Sequence, residues 1–355
     1  MTDILGILRG AVTRSASDVL IVAGFPVSLR QNGAIISDDG EKLRPEDTKQ
    51  LIGGIFKLSG ISAEHYNMCG DDDFSFSVAG LGRFRCCLYR QRSSEAAVIR
   101  VISFDELEPS ALGIGEEILS LGKLTNGLVL VTGPAGSGKS TTLAAVIDRI
   151  NSTRAGHIIT IEDPIEYLHR HKRCIVSQRE IGHDTESCQT ALRAALRQSP
   201  DVILIGEMRD YDTIATAMSA AETGQLVLST LHTIGAASAV ERIIDVFPAQ
   251  SKQQIRVQLA SVLRAVVSQY LVPAVGGGSV PAFEIMSVNG AVRSMILEDK
   301  TNQLENTIMS GAADGMCSMD QSLLRLYAAG RITRENALAY AFHPDALTRR
   351  MDART

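Results

Sequence analysis

No stretch of this 355-residue chain holds the roughly 20 consecutive apolar residues that a membrane span requires. The N-terminus, Met1-Thr-Asp-Ile-Leu-Gly6, starts acidic and runs into no long apolar core, so a signal peptide is not expected. None of the six cysteines, at 69, 86, 87, 174, 188 and 317, forms a C-x-x-C pair. That argues against a four-cysteine zinc site, and scattered cysteines suit a reducing cytosol. An excess of positive charge is missing too. The net charge of −5 gives no support to a nonspecific nucleic-acid binder, with a local basic patch left open. What remains is ordinary for a soluble globular protein: 45% hydrophobic and 21% charged residues, on a chain too long for one core and therefore expected to form two domains.

The hydrophobic pattern divides the chain. Residues 1–102 read as a small α+β domain. Its strands alternate in polarity, as in Phe74-Ser-Phe-Ser-Val78 and Arg83-Phe-Arg-Cys-Cys-Leu-Tyr89, and a hairpin is signalled at Gln31-Asn-Gly33. Residues 103–120 are acidic, carry Pro109, Gly113 and Gly115, and read as a linker. From Leu121 apolar strands alternate with helices, the signature of a parallel α/β sheet, through a core set at 121–272. Within it, Asp184 to Gln198 reads as a helix capped by Asp184, and Ala249 to Leu271 as one long helix. Residues 273–355 read as a C-terminal helical region.

The strongest motif is Gly133-Pro-Ala-Gly-Ser-Gly-Lys-Ser140, preceded by the apolar run Gly127–Thr132 and followed by a helix-compatible run from Thr141. This is the strand, glycine loop and helix that a phosphate-binding loop needs. Glycines let successive backbone N–H groups point inward, and the helix start adds a positive dipole end. Lys139 can reach the β- and γ-phosphates of ATP, Ser140 can offer its hydroxyl to Mg²⁺, and Gly133, Pro134, Ala135, Gly136, Ser137, Gly138 and Thr141 complete the binding stretch.

Three further groups sit at the ends of predicted strands, where open α/β sheets bind ligands. Glu207 follows Val202–Ile205 and can orient or deprotonate the water that attacks the γ-phosphate; the plainer reading is a carboxylate capping a loop. Glu162, Asp163 and Glu166 crowd the end of another strand, so a water-held Mg²⁺ explains them, with a solvated acidic turn around Pro164 as the alternative. His232 follows a third strand and reads equally as a phosphate sensor or as a hydrogen-bonded loop histidine. Arg83 and Arg85 share one face of their strand; alone, such arginines read as a solvated surface.

Four boxes together resemble the PilT family of type IV pilus retraction ATPases, within the secretion ATPase superfamily: Gly133–Ser140, Ile161-Glu-Asp-Pro-Ile-Glu166, Leu204-Ile-Gly-Glu-Met-Arg-Asp210 and Thr230-Leu-His-Thr233. Ser177-Gln-Arg-Glu-Ile181, Ala191-Leu-Arg-Ala-Ala-Leu-Arg197 and Ala220-Ala-Glu-Thr-Gly224 share it, so the likeness covers residues 15–340. It implies an α/β fold: a RecA-like P-loop ATPase core, a smaller N-terminal PAS-like α+β domain and a helical C-terminal region. It implies a homohexamer that binds ATP and Mg²⁺ and works at the cytoplasmic face of the inner membrane. The load would be a pilus platform protein, with no nucleic acid involved. Catalysis would rest on Glu207, assisted by Glu166, with His232 coupling to neighbours and with Arg83, Arg85 and Arg100 supplying positive charge; Ser140, Glu162 and Asp163 would serve the metal. Arg92 stands one residue ahead of the place where the family carries arginine, now Ser93. The family's retraction motif, Ala-Ile-Arg-Asn-Leu-Ile-Arg-Glu, is met by Ala291-Val-Arg-Ser-Met-Ile-Leu-Glu298 at Ala291, Arg293, Ile296 and Glu298. The chain lacks the long N-terminal extension and four-cysteine insertion of assembly-type relatives. A pilus-assembly or type II secretion ATPase is the alternative, and a RecA-like DNA translocase a more distant one.

Overall fold

Two hydrophobic patterns along the chain produce two different sheets. A computed structural model of the protein describes residues 3–31, 34–37, 40–102 and 107–353. They divide into two compact units: the first holds the described residues up to 102 with Glu166–Leu168, the second the remainder.

The first unit carries β1 (Asp18–Ile21), β2 (Ser28–Gln31), β3 (Ala34–Ser37), β4 (Asp71–Val78), β5 (Gly82–Gln91) and β6 (Ser94–Ile102), in the order β3-β2-β1-β6-β5-β4. Every pairing is antiparallel. The expected hairpin joins β2 to β3 with Gln31 opposite Ala34, while Asn32 and Gly33 lie outside the described residues. Helices α1 (Ile4–Thr13), α2 (Pro45–Ser59) and α3 (Glu64–Cys69) accompany the sheet. Pro45 opens α2, where its missing N–H has no helical partner to lose. Leu8, Ile52 and Ile55 pack with Phe84, Cys86, Leu88 and Ile99 in one core, so only one face of this sheet is apolar. The β5–β6 turn is Arg92-Ser93, both residues at positive φ (46° and 64°), the geometry that a two-residue hairpin turn demands.

The second unit is built on β7 (Gly127–Thr132), β8 (Gly156–Glu162), β9 (Cys174–Glu180), β10 (Val202–Ile205), β11 (Leu226–Leu231), β12 (Leu263–Pro273) and β13 (Ser279–Ser287), in the order β13-β12-β7-β11-β10-β8-β9. All neighbours are parallel except β12 and β13. Its helices are α4 (Glu116–Leu119), α5 (Lys139–Thr153), α6 (Cys188–Ala195), α7 (Tyr211–Glu222), α8 (Ala236–Asp245), α9 (Lys252–Val262), α10 (Gly290–Leu297), α11 (Leu304–Ser310), α12 (Met319–Ala328), α13 (Arg334–Ala339) and α14 (Pro344–Asp352). Helices cover both faces, which is why β7, β10 and β11 are buried along their whole length rather than on alternate residues. Leu128, Leu130, Ile203 and Ile205 point into one core, and Val129, Val131, Val202 and Leu204 into the other. Among the described residues no helix is long and apolar enough to cross a membrane.

Several elements differ from the sequence reading. The long helix expected over 249–271 ends at Val262, and the chain continues as β12, paired with β7 on one side and β13 on the other. Residues 279–287 are strand, so the region after 273 is not wholly helical. Ser187 rather than Asp184 caps α6, accepting from Thr190 N, while Asp184 accepts from Glu180 N instead. The expected linker, whose residues 103–106 lie outside the described ones, contains α4.

Candidate active site

Parallel strands set every strand's C-terminal end at one edge, and register makes the alignment specific. Thr132 of β7 pairs with Leu231 of β11, Ser229 of β11 with Ile205 of β10, and Ile205 with Ile161 of β8. The glycine loop, the His232 segment, the Glu207 segment and the Glu162 segment therefore leave the sheet side by side.

The loop between β7 and α5 turns through Gly133, Gly136 and Gly138 at φ of 142°, 75° and 88°. A Cβ on Gly133 would lie 2.3 Å from the Gln269 carbonyl oxygen, and one on Gly138 would lie 2.9 Å from Gln269 Nε2. Glycine is required there by conformation and by space. Lys139 is 8% exposed, and its Nζ donates to the Gly133 and Pro134 carbonyls at 2.9 Å each. Ser137 Oγ and Thr132 Oγ1 are buried with no hydrogen-bond partner among the described residues. Two orphaned hydroxyls beside a folded-back lysine and a helix N-terminus form a cradle that an anionic, acceptor-rich group would complete. Ser140 is exposed on the first turn of α5. Beside the loop, Gly138, Thr141, Leu271, Pro281 and Arg331 line a cavity of about 250 Å³.

Gln269 is a site residue that the sequence reading missed, because it fell inside the expected long helix. It is 3% exposed, and its Oε1 accepts from Thr142 Oγ1 at 2.7 Å, tying β12 to the start of α5. The signal was the run Leu263–Pro273, rich in Val and ended by Pro, which is strand composition.

Glu207 stands on a stapled segment. Gly206 N donates to Ile161 O at 2.8 Å, Thr230 Oγ1 to Gly206 O at 2.6 Å, and Met208 N to Thr230 O at 3.2 Å. The carboxylate is engaged at both oxygens: His232 Nε2 lies 3.1 Å from Oε2, and Arg209 pairs with Oε1. Partial burial pushes this carboxyl's pKa up, but the Arg209 hydrogen bond and charge, with those of His232, outweigh burial and hold it below the usual value. His232 and Glu207, separate candidates in the sequence, form one unit.

At the end of β8, Glu162 Oε1 accepts from Thr160 Oγ1 at 2.6 Å and from Gln178 Nε2 at 3.2 Å. Neighbouring β9 supplies the scaffold. Gln178 Oε1 also accepts from His169 N at 2.7 Å, and the buried Glu180 accepts from Ile165 N at 3.0 Å. His169, lowered to about 4 by burial, stays neutral here. Donors from β8 and β9 thus relieve part of the crowding among the carboxylates. Asp163, joined to Pro164 by a cis peptide bond, is exposed. Glu166 is exposed and groups with the first unit. Among the described residues no three His, Cys, Asp or Glu side chains converge as a ready-made metal site. A Mg²⁺ ion that keeps its waters and leans on substrate phosphates needs no such cage.

The candidate arginines lie in the first unit. Arg83 and Arg85 share the outer face of β5 opposite the buried Phe84 and Cys86, as the period-two pattern requires. Arg85 grips Asp73 with two bonds, of 2.7 and 3.0 Å, Arg83 Nη1 donates to Ser77 Oγ at 3.3 Å, and Arg100 Nε donates to Asp18 at 3.1 Å. Arg85 and Arg100 face each other directly across β5 and β6, two like charges each held by its own aspartate.

Comparison with known proteins agrees with this architecture. Residues 81–312 match the type II/IV secretion system protein family. The chain is 44% identical to the type IV pilus retraction ATPase PilT of Pseudomonas aeruginosa, over 97% of this chain and 99% of that one. It is 40% identical to a twitching motility protein of Neisseria gonorrhoeae, over 98% and 92% of the two chains. Its fold superposes on a crystal structure of the pilus retraction motor PilT with bound ADP, with a TM-score of 0.90 at 44% identity, over 98% of this chain and the whole of the other.

Proposed function

Because the chain belongs to the type II/IV secretion ATPase family, and because its likeness to PilT runs along nearly its whole length, we propose that it is the ATP-hydrolysing motor of type IV pilus retraction, the pilin disassembly that drives twitching motility. The observation that carries this reading is Glu207: an ionised carboxylate fixed at the end of β10, one strand removed from the strand that feeds the phosphate loop. A carboxylate at that strand end supports the reading of a base that acts on water near a γ-phosphate.

In this reading Gly133 to Thr141 bind the triphosphate of ATP, with the Ser137 and Thr132 hydroxyls and Lys139 exchanging their present surroundings for phosphate oxygens. The cavity beside Thr141 takes the nucleoside. Mg²⁺ would be held by the exposed Ser140 hydroxyl and, through water, by Glu162 and Asp163, and would offset phosphate charge. Glu207 orients the attacking water, with Glu166 assisting. His232 holds Glu207 and links it to the loop leading into α8. Arg83, Arg85 and Arg100 supply positive charge from the N-terminal unit. The working form is a homohexamer at the cytoplasmic face of the inner membrane, reaching the membrane only through a pilus platform protein. The net charge of −5 supports a protein load rather than nucleic acid.

Steady-state turnover of Glu207→Gln tests the site: wild-type activity would remove Glu207 from the chemistry. Counting surface pili after deletion of the gene tests the direction, since excess pili mean retraction and bald cells mean assembly. The assembly reading draws on α10, where Ser294 and Leu297 stand in place of the retraction motif's asparagine and second arginine.

A further inference from the structure

A glutamate turns about three side-chain torsions, and an unheld one spends little time aimed at a water. Glu207 is held twice, by partners of different kinds. His232 follows β11, a strand buried along its whole length and paired on both sides. Arg209 belongs to the short segment between β10 and α7, two residues from the carboxylate it grips. Its guanidinium side chain is 71% exposed, while the Glu207 side chain is 22% exposed. An ion pair between two exposed groups contributes little to stability. Here the acceptor is partly withdrawn from water, and withdrawal favours the protonated acid. Arg209 therefore does more than decorate the surface: its charge lowers the proton affinity of Glu207, and its contact is a second anchor that fixes the carboxylate's direction. The two anchors take one oxygen each and leave further lone pairs open to water.

Among the described residues, the cationic groups acting on Glu207 are Arg209 and His232. Around Glu207 stand His232 from β11's end, Asp210 at the N-cap of α7, and Cys188 of α6, whose thiol burial pushes up to about 11. Asp163, from the end of β8, also lies within charge range of Arg209. All but His232 are neutral or negative, and His232 carries charge only when protonated.

We infer that Arg209 is the positioning residue of the hydrolytic site: with His232 it clamps Glu207 in the orientation from which the carboxylate engages the attacking water, while contributing nothing to ground-state nucleotide binding. The inference rests on the reading of Glu207 as the group that acts on water. A clamp and a merely structural surface pair make different forecasts. The clamp affects kcat and its pH dependence; the surface pair affects neither.

The experiment is a pH profile of ATP turnover for the full-length wild type, Arg209→Gln, Arg209→Lys and Glu207→Gln, with thermal melting of each. Arg209→Gln is expected to lower kcat roughly tenfold at neutral pH, leave KM for ATP within about twofold, and move the acid limb upward by about one pH unit, because the carboxyl loses its cation. Arg209→Lys keeps the charge without the fork, so it should restore the acid limb while recovering only part of kcat. Melting temperatures should match the wild type, since the side chain is exposed. An unmoved acid limb and an unchanged kcat in Arg209→Gln, with Glu207→Gln inactive, would overturn the clamp and leave the catalytic reading standing. Turnover retained by Glu207→Gln would instead overturn the reading beneath it, and a KM rising in step with the loss of kcat in Arg209→Gln would make Arg209 a nucleotide-binding residue and end the inference.

Discussion

Glu284 accepts the backbone N–H of Ala236 at 2.8 Å, so a carboxylate from β13 caps the helix that follows the His232 segment. The side chain lies at the positive end of α8, next to Gly235, whose N–H is taken by Ser268 Oγ at 3.0 Å. The loop from His232 to α8 is thereby pinned to β12 and β13, elements recruited from 30 to 50 residues further along the chain.

That buried carboxylate makes stability depend on pH. Burial pushes Glu284 up to about 7 from 4.5, opposed by the Ala236 amide, reinforced by Glu305, opposed by the Met319 amide and reinforced by Asp320. The folded state then binds the proton more tightly than the unfolded one. The contribution is fully present below about pH 4.5 and is lost as pH rises through about 7, at a slope near 1.4 kcal/mol per pH unit inside that window. Urea unfolding from pH 5 to 8 should show the decline, and Glu284→Gln should flatten it; equal slopes in the two proteins would remove Glu284 as the cause.

Gln269→Ala should weaken both fold and site. It leaves the Thr142 hydroxyl without its partner in a buried place, a loss of about 1–3 kcal/mol. Because Gln269 also lies against Gly133 and Gly138, KM for ATP should rise several-fold with it. Denaturant midpoints and a substrate titration read the two effects separately.

Gly133→Ala is expected to abolish tight nucleotide binding. The new methyl group would meet a backbone oxygen at 2.3 Å, at a φ that L-residues rarely adopt, so the loop must shift rather than a side chain. Titration with a fluorescent ATP analogue should show at least a tenfold fall in affinity. Undiminished affinity would mean that the loop has room the geometry denies it.

Chelation of divalent cations should stop turnover, and added Mg²⁺ should restore it. Ser140→Ala should raise the Mg²⁺ concentration giving half-maximal activity while leaving the melting temperature unchanged, since the hydroxyl is exposed. Full activity in excess chelator would remove the metal from the mechanism.

Much of this architecture could be read from local patterns. Gly127–Thr132 and Val202–Ile205 are short, apolar but for Thr132 and each followed by glycine, and both are buried parallel strands. The reading failed where two periods fit the same residues. Ile255, Leu259, Val262, Leu263 and Val266 form a helical stripe, yet the chain changes to strand at Leu263, because pairing with β7 and β13 satisfies its backbone. At α6 the expected cap, Asp184, accepts from Glu180 N instead, and the helix starts later with Ser187 as its cap.

The sequence by itself determined the phosphate loop, the antiparallel and parallel characters of the two sheets, and which carboxylates stand at strand ends. These follow from neighbours within a few positions: glycine at positive φ, alternation or its absence, and a polar residue after an apolar run. Only the tertiary structure decided what those groups touch. His232 reaches Glu207 across 25 residues and Gln269 reaches Thr142 across 127, because parallel strands bring distant C-terminal ends to one edge and β12 lies beside the loop strand. Sequence spacing carries no trace of such neighbours; strand order creates them.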